Sequence, residues 1–181
     1  MIFTNILSCS IELQQEIRNW RNHNEIRKNM YSDHIISSNE HNQWLTSLHK
    51  TNTNHVYIAF NNENPIGLVS INNYKPLWLT ADWAFYLNPD YLSHKGLGAA
   101  LEYHFLNFIF NTFTLTKLNC EVLETNPLVV KLHQKFGFII EGIKRKNIIK
   151  DNRRVDVVLL GILYEEWLVK RPFLEKIINR I

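Results

Sequence analysis

A single mixed α/β domain is the fold class that this sequence predicts. The chain has 181 residues, of which 45% are hydrophobic and 20% charged, as is usual for one soluble globular domain. β-type runs alternate with apolar-periodic helical segments along the whole chain. The sequence contains no repeat, linker or low-complexity segment, so residues 1–181 are expected to form one domain around a sizeable core.

The N-terminal half is predicted to supply two helices and four strands. A strand over 2–7 precedes a helix over 11–21, where apolar residues recur at helical spacing. A second helix is signalled at Ser37 and Ser38. Residues 55–60 and 66–71 are β-rich runs, and the polar segment between them predicts a hairpin. A strand over 78–87 then places Ala81, Trp83, Phe85 and Leu87 on one face and Asp82, Ala84 and Tyr86 on the other.

Glycines mark the helices of the C-terminal half. Gly96 and Gly98 lead straight into an apolar-periodic helix, whose first N–H groups are suited to phosphate oxygens. A strand over 117–123 precedes a helix over 126–136, which ends at Gly137. Strands over 138–149 and 155–163 surround a turn, and the amphipathic segment 172–181 is left open between helix and frayed tail.

Composition and spacing argue against several functional classes. The net charge of +3 does not predict a nucleic-acid partner. No apolar run reaches the length of a membrane span, and no signal peptide is evident, so a cytoplasmic protein is expected. Cys9 and Cys120 form no metal-binding or disulfide pattern, and the eight histidines have no metal-binding spacing, so no metal site is predicted.

Two common glycine signatures do not fit the Gly96–Gly98 segment. A dinucleotide fingerprint would need a third small residue where Leu101 stands, and a P-loop would need Gly-Lys-Ser or Gly-Lys-Thr.

The glycine motifs instead resemble the GCN5-related N-acetyltransferase (GNAT) family. The family's pyrophosphate loop, Gln/Arg-x-x-Gly-x-Gly/Ala, corresponds to Ser93-x-x-Gly96-x-Gly98. The family's next helix corresponds to Asn126 and then Leu132-His133-Gln134-Lys135-Phe136-Gly137-Phe138, followed by Glu141-Gly142. The departures are Ser93 for Gln or Arg and His133 for Tyr. The resemblance implies a twisted, mostly antiparallel sheet of about seven strands, split into a V and flanked by helices.

Acetyl-CoA is the co-substrate that the resemblance implies. Its pantetheine would bond to the main chain of the strand that contains Trp83, Phe85 and Leu87, as an added strand does. Its pyrophosphate would lie on the N–H groups of the loop and helix start, formed by His94, Lys95, Gly96, Leu97, Gly98 and Ala99. Asn126 completes the expected cofactor site, in which Lys95 is either a phosphate contact or a solvated lysine.

Two residues are candidates for catalysis. Cys120 and Glu121 point to opposite faces of their strand, and the small apolar Cys120 suits the core better, so Glu121 is the candidate base. A Cys120 nucleophile would require the reverse facing. The resemblance places His133 where the family has the tyrosine that protonates the leaving thiolate, and a half-buried helix histidine is the alternative.

The acceptor is expected to be a small-molecule UDP-amino-sugar. The segment 20–45 resembles the N-acetyltransferases of pseudaminic acid biosynthesis, which act on the 4-amino group of UDP-4-amino-4,6-dideoxy-N-acetyl-β-L-altrosamine. The resemblance implies an acceptor site formed by Arg21, Met30, Tyr31, His41, Trp44, Asn72, Asn73 and Tyr86. Arginine suits a diphosphate and aromatic rings suit uracil.

Other partners stay open at this point. The same motifs resemble acetyltransferases of protein N-termini, including those of ribosomal proteins. A nucleic-acid binder could use the basic hairpin residues Lys144, Arg145, Lys146, Lys150, Arg153 and Arg154. No membrane partner is expected, and a homodimer is left open.

Overall fold

Seven strands form one sheet in the computed structural model of the protein, which describes residues 1–180. The strands are β1 (Ile2–Asn5), β2 (His55–Asn61), β3 (Asn64–Lys75), β4 (Thr80–Leu87), β5 (Lys117–Leu123), β6 (Ile139–Lys150) and β7 (Arg153–Leu163). The helices are α1 (Ile11–Asn22), α2 (Asn24–Arg27), α3 (Ser38–Leu48), α4 (Leu97–Phe113), α5 (Pro127–Phe136) and α6 (Tyr164–Ile178). None of these helices is both long enough and apolar enough to cross a membrane.

The sheet divides between β4 and β5. Its strand order is β1-β2-β3-β4-β5-β7-β6, and every neighbouring pair is antiparallel except β4 and β5, which are parallel. These two strands pair only through residues 80–82 and 117–119, so residues 83–87 of β4 have no strand partner on that side within residues 1–180. The sheet therefore opens into the V that the family resemblance implies.

Two apolar layers cover the faces of the sheet. On one face, α4 buries Leu101, Phe105 and Ile109 against the same cluster as Trp83 of β4. On the other face, α1 and α3 pack residues such as Ile17 and Leu45 against β2 and β3. Each large apolar side chain that is fully buried contributes roughly 1.5–3 kcal/mol, so these layers fix the helices on the sheet.

The alternation predicted for β4 is confirmed. Trp83 belongs to the α4 layer, whereas Tyr86 packs against the α1–α3 layer. One strand therefore contributes to both faces at the point where the sheet opens.

Several predicted boundaries are wrong, for local reasons. β1 ends at Asn5 because the Asn5 side chain accepts the N–H of Leu7 and begins a 3-10 turn. β4 begins at Thr80, since residues 76–79 form a turn in which Leu79 has a φ of 53°. The short helix α2 is absent from the prediction, and its residues begin directly after α1.

The C-terminal helix is the largest correction. α6 begins at Tyr164, directly after β7, and Pro172 lies inside it rather than at its start. The Glu166 carboxylate accepts the Leu163 N–H and so caps the helix where no glycine or proline marks a boundary. Ile181, the last residue of the predicted segment, lies outside the described residues.

Candidate active site

The loop before α4 has the backbone geometry of an anion-binding turn. Gly96 has a φ of 84°, in the left-handed region that glycine adopts without strain. A Cβ atom at Gly98 would meet no atom within 4 Å, so the helix start faces open space. The loop can therefore accept a bulky group at Gly98 without displacing protein atoms.

Part of the predicted N–H set is already bonded within the chain. The His94 N–H donates to the Tyr91 carbonyl at 3.0 Å, and the Leu97 N–H donates to the His94 carbonyl at 3.2 Å. Within residues 1–180 no backbone carbonyl accepts a hydrogen bond from the remaining predicted N–H groups, which are those of Lys95, Gly96, Gly98 and Ala99. These four N–H groups are the ones that remain for phosphate oxygens.

The helix start at Asn126 is also uncapped. Asn126 precedes Pro127 at the start of α5, and its side chain makes no capping hydrogen bond. The Asn126 carbonyl accepts N–H groups from the first turn of α5, which fixes the residue at the start of the helix. Its side-chain amide is thus left for a ligand.

Cys120 and Glu121 face opposite sides of β5, as the sequence predicts. Cys120 is only 4% exposed, and burial raises the pKa of its thiol well above the usual range. A thiol in that environment stays protonated, so it is a poor nucleophile. The alternative of a Cys120 nucleophile therefore has no support from the structure.

Glu121 is held by two partners. Lys144 and Tyr31 donate to its two carboxylate oxygens. Burial by itself would raise the pKa of Glu121, but the hydrogen bonds from Lys144 and Tyr31 and the charge of Lys144 together lower it. Glu121 is therefore ionised near neutrality, and its bonds fix it in place.

His133 forms a buried pair with a residue that the sequence analysis did not select. Its Nδ1 lies 2.8 Å from Oε1 of Glu102, a carboxyl group on α4 that is fully buried. The His133 ring lies beside Trp83 and Phe85, with centroid distances of 5.3 and 6.1 Å. The pair thus lies next to the part of β4 that has no partner on the β5 side.

A cavity of about 410 Å³ opens on the α1–α3 side of the sheet. Six of the eight residues predicted for the acceptor site line it, namely Arg21, Met30, His41, Trp44, Asn72 and Tyr86. Tyr31 does not line it, because its hydroxyl is bonded to Glu121. Asn73 does not line it either, because it lies at an irregularity of β3 where it bonds to Asn54 and Asp82.

Other polar residues of the cavity were missed. His34, Glu40, Asn54 and Ser70 line it, and Glu40 accepts a hydrogen bond from His34 at 3.0 Å. Glu40 had a sequence signal, since it completes a capping box with Ser37 at the start of α3. The others lie on separate elements and share no local pattern.

Arg21 has an unused donor beside the cavity. Its Nη2 donates to the Ser32 carbonyl at 2.8 Å, whereas its Nη1 is buried and has no hydrogen-bond partner within residues 1–180. Burial lowers the pKa of Arg21, but an arginine still stays charged at neutral pH. A buried cationic N–H without a partner is a suitable contact for an anionic oxygen.

His41 and Trp44 lie side by side in the same wall. The His41 Nε2–H donates to the Gln14 carbonyl at 2.7 Å, and burial lowers the pKa of His41. The ring centroids of His41 and Trp44 are 5.3 Å apart. The wall thus presents a neutral imidazole and an indole.

The basic hairpin of β6 and β7 is partly engaged within the chain. Lys144 bonds Glu121, Lys150 bonds the carbonyls of Arg27 and Met30, and Arg154 bonds the Lys146 carbonyl. Three of the six basic residues are thus engaged within the chain, which weakens the case for a nucleic-acid surface. Within residues 1–180, no group of three or more His, Cys, Asp or Glu side chains could hold a metal ion.

Comparison with known proteins supports an acetyltransferase. Residues 11–139 match the acetyltransferase (GNAT) domain family, whose members use acetyl-CoA. The acetyltransferase PseH of Campylobacter jejuni strain 81-176 is 28% identical over 138 residues, covering 76% of this chain and 82% of PseH. PseH of strain NCTC 11168 is 28% identical over 129 residues, covering 70% of this chain and 78% of PseH.

Solved structures share the fold. The spermidine N-acetyltransferase of Vibrio cholerae, in complex with CoA and spermine, has a TM-score of 0.84 at 21% identity, over 92% of this chain and 97% of that one. The crystal structure of Campylobacter jejuni PseH has a TM-score of 0.67 at 18% identity, over 90% of this chain and 97% of that one. The divided sheet, the glycine loop and the family match over most of the chain agree, and the chain belongs to the GNAT family of acetyltransferases.

Proposed function

We propose that this enzyme transfers the acetyl group of acetyl-CoA to the 4-amino group of a UDP-linked amino-deoxy sugar, the reaction of pseudaminic acid biosynthesis. The observation that carries this proposal is the cavity whose lining combines the Arg21 guanidinium, which has an unpartnered Nη1, with an aromatic wall. The similarity to PseH, at 28% identity, supports the same reaction.

The cavity has the chemistry that a nucleotide sugar needs. Its volume of about 410 Å³ lies within the range of small-molecule sites. The planar guanidinium of Arg21 suits diphosphate oxygens, and the face of Trp44 suits a uracil ring. His41 and Asn72 offer polar groups for the sugar, while Met30 and Tyr86 complete the apolar lining.

β4 would bring the two substrates together. The main chain of residues 83–87, which includes Trp83, Phe85 and Leu87, is free to bond the pantetheine. The pyrophosphate would lie on the N–H groups around Gly96 and Gly98. The side chains of Ala84 and Tyr86 belong to the cavity wall on the same strand, so the acceptor amine is close to the thioester.

The proposed reaction is a direct attack in a ternary complex. The amine nitrogen forms a bond to the thioester carbon, and the carbon–sulfur bond breaks. Glu121 takes the proton that the amine loses, through a water molecule because Glu121 does not line the cavity. His133 gives a proton to the departing thiolate.

A polyamine acceptor is disfavoured by charge. A polyamine carries several positive charges and needs several carboxylates, whereas Glu40 is the one acidic residue within residues 1–180 that lines the cavity. Glu40 is bonded to His34, and Arg21 would repel a cation. The same shortage of acidic groups argues against a protein N-terminus.

A direct comparison of acceptors tests the proposal. CoA release is followed with the UDP-4-amino-4,6-dideoxy sugar, with spermidine and with N-terminal peptides of ribosomal proteins. We expect kcat/KM for the sugar to exceed the other two by at least about a hundredfold. The matched sugar with a 4-hydroxyl group should release no CoA. A preference for spermidine or for a peptide would refute the proposal.

A further inference from the structure

Glu102 is an unusual residue for its position. It lies on α4 between Leu101 and Tyr103, it is 0% exposed, and residues on both sides of it belong to the apolar core. Its Oε1 bonds His133, but its Oε2 is sealed from solvent and has no partner within residues 1–180. A buried carboxyl group with an unsatisfied oxygen destabilises the folded state, so a compensating role is expected.

We propose that Glu102 is a positioning residue which, through its bond to Nδ1 of His133, keeps a proton on Nε2 of His133 for the thiolate that leaves acetyl-CoA. This inference rests on the role of His133 in the proposed function. It adds that Glu102 allows a histidine to act as the proton donor at the position where the family has a tyrosine.

The possible protonation states of the pair of Glu102 and His133 explain why Nε2 carries a proton. A buried site disfavours net charge, so the pair is expected to be neutral overall. It is neutral either as a protonated Glu102 beside a neutral His133 or as a carboxylate beside an imidazolium. In the first state the proton is on Oε1, because a hydroxyl on the buried Oε2 would have no acceptor, so the Glu102 hydroxyl donates to Nδ1 and the ring proton is on Nε2. In the second state both ring nitrogens carry protons. Nε2 is therefore a donor in either neutral state.

The environment of Glu102 favours a retained proton. Burial raises the pKa of Glu102, and the bond and charge of His133 only partly oppose this effect. From β5, the titratable group that Glu102 acts on is Cys120, and burial keeps the Cys120 thiol neutral. The groups that β4 brings to His133 are the uncharged rings of Trp83 and Phe85. An isolated histidine would lose its acid proton near pH 6.5, whereas a buried pair resists becoming a net anion.

The location of the pair suits the leaving group. Trp83 and Phe85 lie on the part of β4 that has no β5 partner, where the pantetheine would bind. The His133 ring is next to both, on the α4 side of the sheet. The acceptor cavity lies on the other side, so the nucleophile and the leaving sulfur meet β4 from opposite faces.

The proton transfer balances within the pair. As the carbon–sulfur bond breaks, the sulfur takes the Nε2 proton of His133. The proton of Glu102 moves to Nδ1 at the same time. The pair ends as a carboxylate beside a neutral imidazole, and it regains one proton from solvent before the next turnover.

The first test needs no substitution and no sugar. Nitrogen NMR of protein labelled in its histidine rings reports which ring nitrogens carry a proton. We expect His133 Nε2 to remain protonated at pH 8. A His133 ring that carries its proton only on Nδ1 at pH 7 would overturn the inference, whatever the acceptor proves to be.

The second test is a double-mutant cycle. Glu102→Gln preserves the volume and a hydrogen bond but cannot pass on a proton, so we expect kcat at pH 8 to fall by about tenfold or more, with an unchanged KM for acetyl-CoA. The loss should grow with rising pH. In a His133→Tyr background, Glu102→Gln should change kcat by less than about twofold, because a tyrosine holds its own proton to about pH 10. An equal loss in both backgrounds would mean that Glu102 is merely structural and would refute the proposal.

Discussion

Replacing Arg21 by alanine is the sharpest test of the acceptor site. The guanidinium of Arg21 lines the cavity and has an unpartnered Nη1, and in the proposed complex it binds the diphosphate. A hydrogen bond to a charged group contributes about 1.5–3 kcal/mol, and each 1.4 kcal/mol changes a binding constant tenfold. We therefore expect Arg21→Ala to raise the Kd for the nucleotide sugar roughly ten- to a hundredfold.

A second function of Arg21 needs a matched control. Its Nη2 also holds the Ser32 carbonyl, and thereby the loop between α2 and α3. Arg18, on the same helix, donates to the Ile36 carbonyl of that loop but does not line the cavity. Arg18→Ala therefore removes a loop contact without removing a ligand contact, and it should change the Kd by less than about threefold.

Calorimetric titration separates the two substrates. Each variant is titrated with the UDP-amino-sugar and, separately, with acetyl-CoA, whose expected loop at Gly96 and Gly98 is distant in sequence from Arg21. The acetyl-CoA affinity should be unchanged in both variants. If Arg21→Ala binds the sugar as wild type does, or if Arg18→Ala loses as much affinity as Arg21→Ala, the diphosphate contact is refuted.

Substitutions at four further positions test other parts of the structure. Gly98→Leu should weaken acetyl-CoA binding about tenfold or more without altering the circular dichroism spectrum. The control Gly98→Ala, whose Cβ meets no atom within 4 Å, should fold normally. An unchanged acetyl-CoA affinity in Gly98→Leu would show that the loop is not part of the site. Gly67→Ala should lower the free energy of unfolding in urea by about 1–3 kcal/mol, because the added Cβ would lie 2.7 Å from the Tyr86 carbonyl oxygen. A free energy of unfolding equal to that of wild type would contradict this close approach of β3 and β4. Glu121→Gln should lower kcat by about 10²-fold, and the loss should become smaller at higher pH, where more of the amine is unprotonated. A loss that does not change with pH would mean that Glu121 only holds Tyr31 and Lys144. Burial lowers the pKa of His41, so its contribution to stability is full above about pH 6.5 and is lost as the pH falls through its lower folded-state pKa. Urea unfolding at pH 7.5 and 5.5 should therefore show that acidification lowers the free energy of unfolding less in His41→Gln than in wild type. An equal decrease in both proteins would contradict this assignment.

Local patterns were sufficient for most of the sheet. The strand predicted over 117–123 has the same bounds as β5, because its alternation and flanking residues define it locally. The start of α6 was missed because β7 continues into the helix without a breaking residue. Pro172 then suggested a false start, although the helix accommodates it eight residues after Tyr164.

The residues of the cavity come from several elements, and their prediction depended on the resemblance and not on local patterns. Arg21 on α1 and Trp44 on α3, which the resemblance implies, both line the cavity. Tyr31 lies in a loop fixed by distant partners, such as Lys150, which bonds the Met30 carbonyl. No local pattern encodes such a contact. Glu102 had a visible signal, since it is the one acidic residue in the mostly apolar helix α4.

The two faces of β4 favour direct transfer over an acetyl-enzyme intermediate. A covalent route would require Cys120 as a thiolate at the opening of the sheet, yet its thiol is buried in the core and its pKa is raised. In a direct route the amine adds to one face of the thioester carbonyl, and the sulfur leaves the tetrahedral intermediate as it receives a proton. The cavity wall at Tyr86 and the pair of His133 and Glu102 lie on the two faces of the strand, so the amine and the sulfur each have their own partners. We therefore infer that Cys120→Ala should retain kcat within about twofold of wild type in a CoA-release assay, while a loss of 10²-fold or more would restore the covalent route.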